Sequence, residues 1–156
     1  MNPQGPAFRE PTPLERMLNK VFGALVGLGL GPRDYFLLQV RGRKTGRVFA
    51  TPVSLVERRG TRFLVAPRGR TQWVRNAEAA GQVTLKRGSS RQRFRLRPVP
   101  DADKPPVLRA YLERFRPVVQ RYFPLAAGSP PEALAGIAER YPVFELLPSN
   151  DTGERR

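Results

Sequence analysis

Histidine and cysteine are both absent from this chain of 156 residues. Without them the chain can form no disulfide, no thiol nucleophile, no imidazole base and no metal site built from His or Cys ligands. Acidic residues are also scarce. The chain has 13 Asp and Glu residues and 28 Lys and Arg residues, which gives a formal net charge of +15. A proton needed in any reaction would therefore come from a phenol, a carboxyl group or water.

The positive charge and the moderate hydrophobic content limit the classes of ligand and of fold that this chain can have. Arg outnumbers Lys 24 to 4, and the excess of cations favours anionic ligands or polyanions without saying which. The length and the 40% hydrophobic content predict a single globular domain. We place it over residues 14–148, with a flexible proline-rich lead at 1–13 and a flexible tail at 149–156.

A helix is predicted over Leu14–Leu30, where apolar residues recur at helical spacing. Its most apolar part, residues 21–30, is about half the length that a bilayer span requires. Two interpretations stay open. The helix docks on the core or on a partner subunit, or it lies on a membrane surface with Arg16 and Lys20 toward the headgroups.

The rest of the chain alternates short β-type runs with helical stretches. The runs are rich in β-branched and aromatic residues and are bounded by Gly and Pro. The pattern predicts six antiparallel strands in a small barrel with helices outside. Predicted strands are Asp34–Val40, Val48–Val56, Thr61–Ala66, Gln82–Arg87, Arg91–Val99 and Tyr141–Leu147. Predicted helices are Gln72–Ala80 after a Thr71 cap, a stretch from Asp101 interrupted by Pro117, and Ser129–Arg140.

The connection between the first two predicted strands, Arg41–Arg47, holds two glycines and four cations. A glycine-bearing turn can expose several backbone N–H groups in one direction, and Arg offers a planar fork of donors that matches phosphate or carboxylate. The turn is either a site for an anionic ligand at the mouth of the sheet or a solvated hairpin tip. The alternating arginines of the fifth strand, from Arg91 to Arg97, favour a solvated strand face.

Five spaced motifs together give the chain a family resemblance. They are Gly42-Arg-Lys-Thr-Gly46, Thr51-Pro52, Val65-Ala-Pro-Arg-Gly69, Trp73-Val-Arg-Asn76 and Tyr141-Pro-Val-Phe-Glu-Leu-Leu-Pro148. In this order and spacing the chain resembles the deazaflavin-dependent nitroreductase family. The resemblance implies a six-stranded antiparallel split β-barrel of the FMN-binding, pyridoxamine-phosphate-oxidase-like class, with flanking helices. It also implies coenzyme F420, a deazaflavin with a phosphate and an acidic polyglutamate tail.

The site implied by the resemblance follows residue by residue. Arg43 and Lys44 would meet the anionic tail, Thr45 would donate a hydroxyl, and the turn through Gly69 would approach the phosphate and the ring. Tyr122 would donate a proton or a hydrogen bond to the acceptor, unless it only packs its helix on the barrel. Trp73 and Asn76 would contact the cofactor, unless Trp73 only anchors its short helix in the core and Asn76 is a surface amide or a helix hydrogen bond. The full set of expected cofactor residues is Arg43, Lys44, Thr45, Gly46, Thr51, Pro52, Ala66, Arg68, Gly69, Trp73 and Asn76.

Three functions from different classes follow. The first is a coenzyme F420-dependent oxidoreductase that transfers a hydride to a small acceptor such as a nitro compound, a quinone or an enone. The second is a ligand-binding protein of the same fold that does not turn over or that uses FMN. The third is a basic nucleic-acid-binding domain, although no recognised motif of that class is present. By analogy with the family, we expect a cytoplasmic homodimer. The alternative is a protein that also contacts a membrane surface through its N-terminal helix.

Overall fold

Six strands and three α-helices make up the part of the chain that the computed structural model describes, residues 34–149 without the Val118 side chain. The predicted Leu14–Leu30 helix and the segments 1–13 and 150–156 lie outside it. The strands are β1 (Tyr35–Arg41), β2 (Val48–Arg58), β3 (Thr61–Val65), β4 (Gln82–Arg87), β5 (Ser90–Pro98) and β6 (Val143–Pro148). The helices are α1 (Gln72–Ala80), α2 (Lys104–Val119) and α3 (Pro131–Ala135), with 3-10 turns at Asp101–Asp103, Gln120–Tyr122 and Ala138–Arg140.

The strands form a closed barrel in the order β1-β2-β3-β6-β5-β4, and every neighbouring pair is antiparallel. β1 and β2 form a hairpin whose register runs from Tyr35 opposite Ser54 to Arg41 opposite Val48. Pairing of β1 with β4 closes the ring, so none of these strands presents a free edge. The predicted six-stranded antiparallel barrel is confirmed.

Two hydrophobic clusters lie on opposite faces of the sheet, as the two-residue period of a strand requires. Leu64 of β3 is fully buried in the barrel interior, whereas its neighbours Phe63 and Val65 pack with α2 outside. Burying a side chain of this size stabilises the fold by about 1.5–3 kcal/mol. Helix α1 adds Val74 and Ala77 to the interior cluster, which fixes α1 beside the end of the β1–β2 hairpin.

The boundaries of α1 follow local rules, with one correction. Gly81 ends the helix with φ at 75° and donates its N–H to the Ala77 carbonyl, as a glycine C-cap does. Thr71 occupies the N-cap position, but its hydroxyl makes no capping hydrogen bond. The side-chain cap predicted for Thr71 is therefore wrong.

The predicted interruption of α2 near Pro117 is present as a kink two residues earlier, whereas the break in the last predicted helix was not predicted. Helix α2 continues through Pro117 and bends at Phe115, where φ is −118° and ψ is 22°, because proline crowds the turn before it. The predicted Ser129–Arg140 helix is instead α3 followed by a separate 3-10 turn. The Gly136 N–H bonds to the Ala133 carbonyl between them. No helix within residues 34–149 is both long and apolar enough to cross a membrane.

Candidate functional site

The turn between β1 and β2, residues 41–47, is here named the first basic turn. Its base is closed by two backbone hydrogen bonds, from Gly42 N–H to the Arg47 carbonyl at 2.6 Å and from Gly46 N–H to the Gly42 carbonyl at 3.0 Å. Gly46 has φ at +77°, a conformation that glycine adopts at little cost. The Arg41 guanidinium also donates to the Gly46 carbonyl at 2.8 Å. The turn is therefore a fixed platform rather than a loose tip.

A buried asparagine ties this turn to α1. Asn76 is only 5% exposed, and its Oδ1 atom accepts both the Arg43 backbone N–H at 3.1 Å and the Arg43 guanidinium at 2.7 Å. These bonds join residues 33 positions apart in the chain. They hold the Arg43 charge toward the helix and leave its other guanidinium donors available.

A cleft of about 260 Å³ lies between the first basic turn, the start of β2 and the first turns of α1. Its walls are largely apolar, with aromatic rings from Phe49 and Trp73. The lining residues are Val40, Gly42, Arg43, Lys44, Thr45, Phe49, Ala50, Thr51, Gln72, Trp73 and Asn76. A cleft that joins apolar walls to a few polar groups is the usual form of a small-molecule site.

The electrostatics of the cleft are one-sided. Among residues 34–149, the charged residues that line it are Arg43 and Lys44, and none of those lining residues carries a carboxylate. Within residues 34–149 the Lys44 ammonium has no hydrogen-bond or ion-pair partner, and Thr45 uses its Oγ1 to accept the Arg47 N–H at 3.2 Å. The arrangement can accept a planar apolar group inside and an anionic group at the rim.

The turn after β3, residues 66–70, is here named the second basic turn, and its backbone groups are largely engaged. Ala66 N–H bonds to the Pro142 carbonyl at 2.9 Å, and Gly69 N–H bonds to the Ala66 carbonyl at 3.2 Å. Arg70 pairs with Glu78 at 2.5 Å. Residues of this turn do not line the cleft.

The structure brings together six of the eleven cofactor residues predicted from sequence. Arg43, Lys44, Thr45, Thr51, Trp73 and Asn76 all line the cleft. The other five lie around it: Gly46 closes the first basic turn, Pro52 is half-buried in β2, and Ala66, Arg68 and Gly69 belong to the second basic turn. Contact between any of the eleven residues and a cofactor stays a prediction.

Tyr122, the predicted proton donor, does not line this cleft. It lies in the 3-10 turn after α2 and packs against the outer hydrophobic cluster. Its hydroxyl accepts a hydrogen bond from the Arg121 guanidinium at 2.8 Å, and its carbonyl accepts the Tyr141 hydroxyl at 2.6 Å. Burial raises the pKa of Tyr141, which keeps that donor protonated. The catalytic role of Tyr122 stays a prediction.

Five lining residues were missed by the sequence reasoning. They are Val40, Gly42, Phe49, Ala50 and Gln72. A signal for Phe49 was present, because three consecutive apolar residues at 48–50 cannot all face the interior of a strand with a two-residue period. Phe49 pairs with Val40 across the hairpin, and its ring faces solvent and the cleft.

Solved structures share the antiparallel barrel fold of this chain. A structure described as a domain-swapped dimer is 20% identical over 85% of this chain and 92% of that chain, with a TM-score of 0.54. One from Listeria innocua, named for pyridoxamine 5′-phosphate oxidase, is 9% identical over 85% of this chain and 94% of that chain, with a TM-score of 0.50. One described as an F420-H2 dependent reductase, FDR-A, is 20% identical over 73% and 94%, with a TM-score of 0.49.

The family assignment comes from the sequence. Residues 14–123 match the family described as F420H(2)-dependent quinone reductase, and the chain belongs to that family. None of the curated proteins matches this chain. The expected likeness to deazaflavin-dependent enzymes is thereby confirmed.

Proposed function

We propose that this chain is an oxidoreductase that binds coenzyme F420 in the cleft and reduces a small organic acceptor. The observation that carries the proposal is an apolar, aromatic-walled cleft whose charged lining residues are both cations, Arg43 and Lys44. Membership in the F420H(2)-dependent quinone reductase family favours a quinone as the acceptor. Nitro compounds and enones are the other acceptors to compare.

The residues present fit the chemistry of this cofactor. A deazaflavin couples a flat, largely apolar ring to an anionic phosphate and glutamate tail. The rings of Phe49 and Trp73 suit the flat part, and Arg43 and Lys44 suit the anionic part. Thr51 adds a hydroxyl for the polar edge of the ring. When bound in its reduced form, the deazaflavin supplies a hydride.

The residues of the protein hold the cofactor, orient its ring and shield the ring from water. The Asn76–Arg43 hydrogen bonds fix the cationic rim before any ligand arrives, which lowers the cost of ordering on binding. The apolar walls exclude water from the ring face. Among residues 34–149, those that line the cleft include no phenol or carboxyl group, so a proton would come from water or from a group outside the cleft.

We retain Tyr122 as the proposed proton donor to the acceptor. Because the Arg121 guanidinium donates to the Tyr122 oxygen, the phenol hydrogen is available to another partner. Tyr122→Phe should lower turnover with reduced F420 by about two decades while cofactor affinity and melting temperature stay unchanged. Full activity in a stable Tyr122→Phe protein would return this side chain to a packing role.

The binding experiment compares two cofactors. Titration with oxidised F420 should perturb its absorption spectrum with an affinity that falls as salt rises, since screening weakens contacts with exposed cations. FMN is titrated in parallel. Anaerobic oxidation of reduced F420 by quinone, nitro and enone acceptors then ranks the substrates. Tighter binding of FMN than of F420, with no turnover of reduced F420, would replace this proposal with the FMN-using alternative.

We further propose a homodimer that works in the cytoplasm. The support for self-association is the family analogy together with the exposure of Val48, which lies at the start of β2 and outside the cleft. Analytical ultracentrifugation of the full chain, with and without F420, measures the assembly. A monomer at every concentration tested would contradict the dimer without affecting the cofactor proposal.

A further inference from the structure

Two large hydrophobic side chains stand out at the start of β2. Within residues 34–149, Val48 is 58% exposed and Phe49 is 45% exposed, and they are the large apolar residues that remain open to solvent. They are adjacent in sequence, yet Phe49 lines the cleft and Val48 does not. An exposed aromatic ring at the mouth of an apolar cleft indicates a contact surface.

The Phe49 ring is seated by a glycine. A methyl group at Gly42 would lie 2.6 Å from the Phe49 Cε2 atom and 3.2 Å from the Arg47 carbonyl. Gly42 does not have a positive φ, so its backbone conformation does not require glycine. The close approach of the ring does. The Arg47 guanidinium lies 5.8 Å from the ring centroid, within the range of a cation–π contact.

The same cleft has a second aromatic residue on a different element. Trp73 is half-buried in the first turn of α1, and α1 is held to the first basic turn by Asn76. Two rings from separate elements therefore border one space, and both elements are fixed in place. Aromatic surfaces held in this way favour flat conjugated ligands, because ring–ring contacts add to simple area burial.

We propose that Phe49 is a specificity-determining residue that, with Trp73, makes the cleft a slot for flat conjugated rings. Arg43 and Lys44 at the rim then take the anionic part of a ligand, so that ring and anion are recognised by different residues. Where the ring is a deazaflavin, the inference rests on the proposed function. The slot itself predicts ring binding for other flat heterocycles and quinones as well.

The test uses Trp73 as a reporter, because it is the single tryptophan of the chain. Its fluorescence is titrated with five probes: oxidised F420, the same deazaflavin riboside without phosphate and glutamates, riboflavin, menadione, and a γ-linked glutamate oligomer as a tail probe. Calorimetry on the same proteins supplies affinities that do not depend on quenching.

The variants distinguish the effect of the Phe49 ring from that of its exposed neighbour Val48. Phe49→Leu keeps an apolar side chain but removes the ring, and it should weaken all four ring probes by about three- to tenfold. Affinity for the glutamate oligomer should not change. Phe49→Tyr should bind the rings as the wild type does. Val48→Ala is the matched control, since it truncates an apolar side chain that is more exposed than Phe49 but lies outside the cleft, and affinity for the ring probes should stay within about twofold.

A second variant tests how the ring is seated. Gly42→Ala should displace Phe49 and weaken the ring probes in the same direction. In the Phe49→Leu background it should cause little further loss, because the ring that it displaces is gone. Equal further loss in both backgrounds would overturn the seating by Gly42.

The outcomes distinguish this inference from the proposed function. If F420 fails to bind but riboflavin or menadione quenches Trp73 in a Phe49-dependent way, the slot stands and the cofactor assignment falls. If F420 binds equally well to Phe49→Leu, the assignment stands and the slot falls. Equal losses in Phe49→Leu and Val48→Ala would overturn the slot in favour of a general surface effect. Failure of every ring probe to bind the wild type would also overturn it.

Discussion

Two turns of similar composition behave differently in this barrel. Both the first basic turn (residues 41–47) and the second (residues 66–70) combine glycine with arginine. The first keeps the Lys44 ammonium without a partner inside residues 34–149 and borders the cleft. The second uses the N–H groups of Ala66 and Gly69 for internal hydrogen bonds and pairs Arg70 with Glu78. Both turns use glycine N–H groups for internal hydrogen bonds, so the difference lies in their side chains. The first turn presents the Lys44 ammonium to the cleft, whereas Arg70 of the second turn is paired with Glu78.

The largest effect on stability and cofactor affinity should come from removing the hydrogen bonds that hold the first basic turn to α1. Asn76→Ala removes the acceptor of two hydrogen bonds to Arg43, and we expect the free energy of unfolding to fall by about 2 kcal/mol. Affinity for F420 should fall by about tenfold, because the cationic rim is no longer held in place. Thermal melts and spectral titrations measure both quantities.

Asn76→Asp is the matched control for that substitution. Its carboxylate keeps an acceptor for the Arg43 donors and adds charge attraction, so stability should stay near that of the wild type. An Asn76→Ala protein with unchanged melting temperature and unchanged affinity would show that the first basic turn holds its shape unaided.

A smaller loss of F420 affinity should follow from removing one charge on the first basic turn, and removing a charge elsewhere on the barrel is the control. Lys44→Ala should weaken F420 binding by about three- to tenfold at low salt, with the difference shrinking as salt rises. Arg95→Ala removes the same charge from an exposed position of β5 and should change affinity by less than about twofold. Equal losses in the two variants would indicate a diffuse effect of net charge rather than a site.

The smallest effect is expected next to the second basic turn. The Thr71 hydroxyl is buried and has no hydrogen-bond partner within residues 34–149. Replacing a buried, unpaired hydroxyl by a methyl group of similar size costs little or stabilises. Thr71→Val should therefore change the free energy of unfolding by no more than about 0.5 kcal/mol and leave F420 affinity unchanged. A marked loss of affinity would reveal a ligand contact that the second basic turn is not expected to make.

Much of the fold could be predicted because its signals are local. The conformations of the strand residues and of the glycines at 46 and 81 depend on sequence within a few positions. Each end of the six predicted strands lies within two residues of the observed end. Barrel closure depends on pairing between β1 and β4. No local pattern encodes that pairing, so the number of strands was easier to predict than their order around the ring.

The candidate site was harder, because it is made by contacts between distant segments. Arg43 and Asn76 were both predicted to touch a cofactor, but nothing in the sequence showed that they bond to each other. Phe49 was missed although the apolar run at 48–50 gave a local signal, because its seating against Gly42 is a side-chain contact that the strand pattern does not encode. The arginines of β5 were correctly predicted as an exposed face: Phe94 is buried between them, and Arg97 pairs with Glu145.

The barrel cannot close until β6, the last of its six strands in the chain, has been synthesised. It lies between β3 and β5 in the ring, pairing with Phe63–Val65 on one side and Phe94–Pro98 on the other. A ribosome would deliver the hairpins β1–β2 and β4–β5 long before residues 143–148 emerge. Until then the edges of β3 and β5 lack their partner, and unpaired edges invite association with other chains. Nascent chains that end before residue 143 should therefore need chaperone protection that the full-length chain does not.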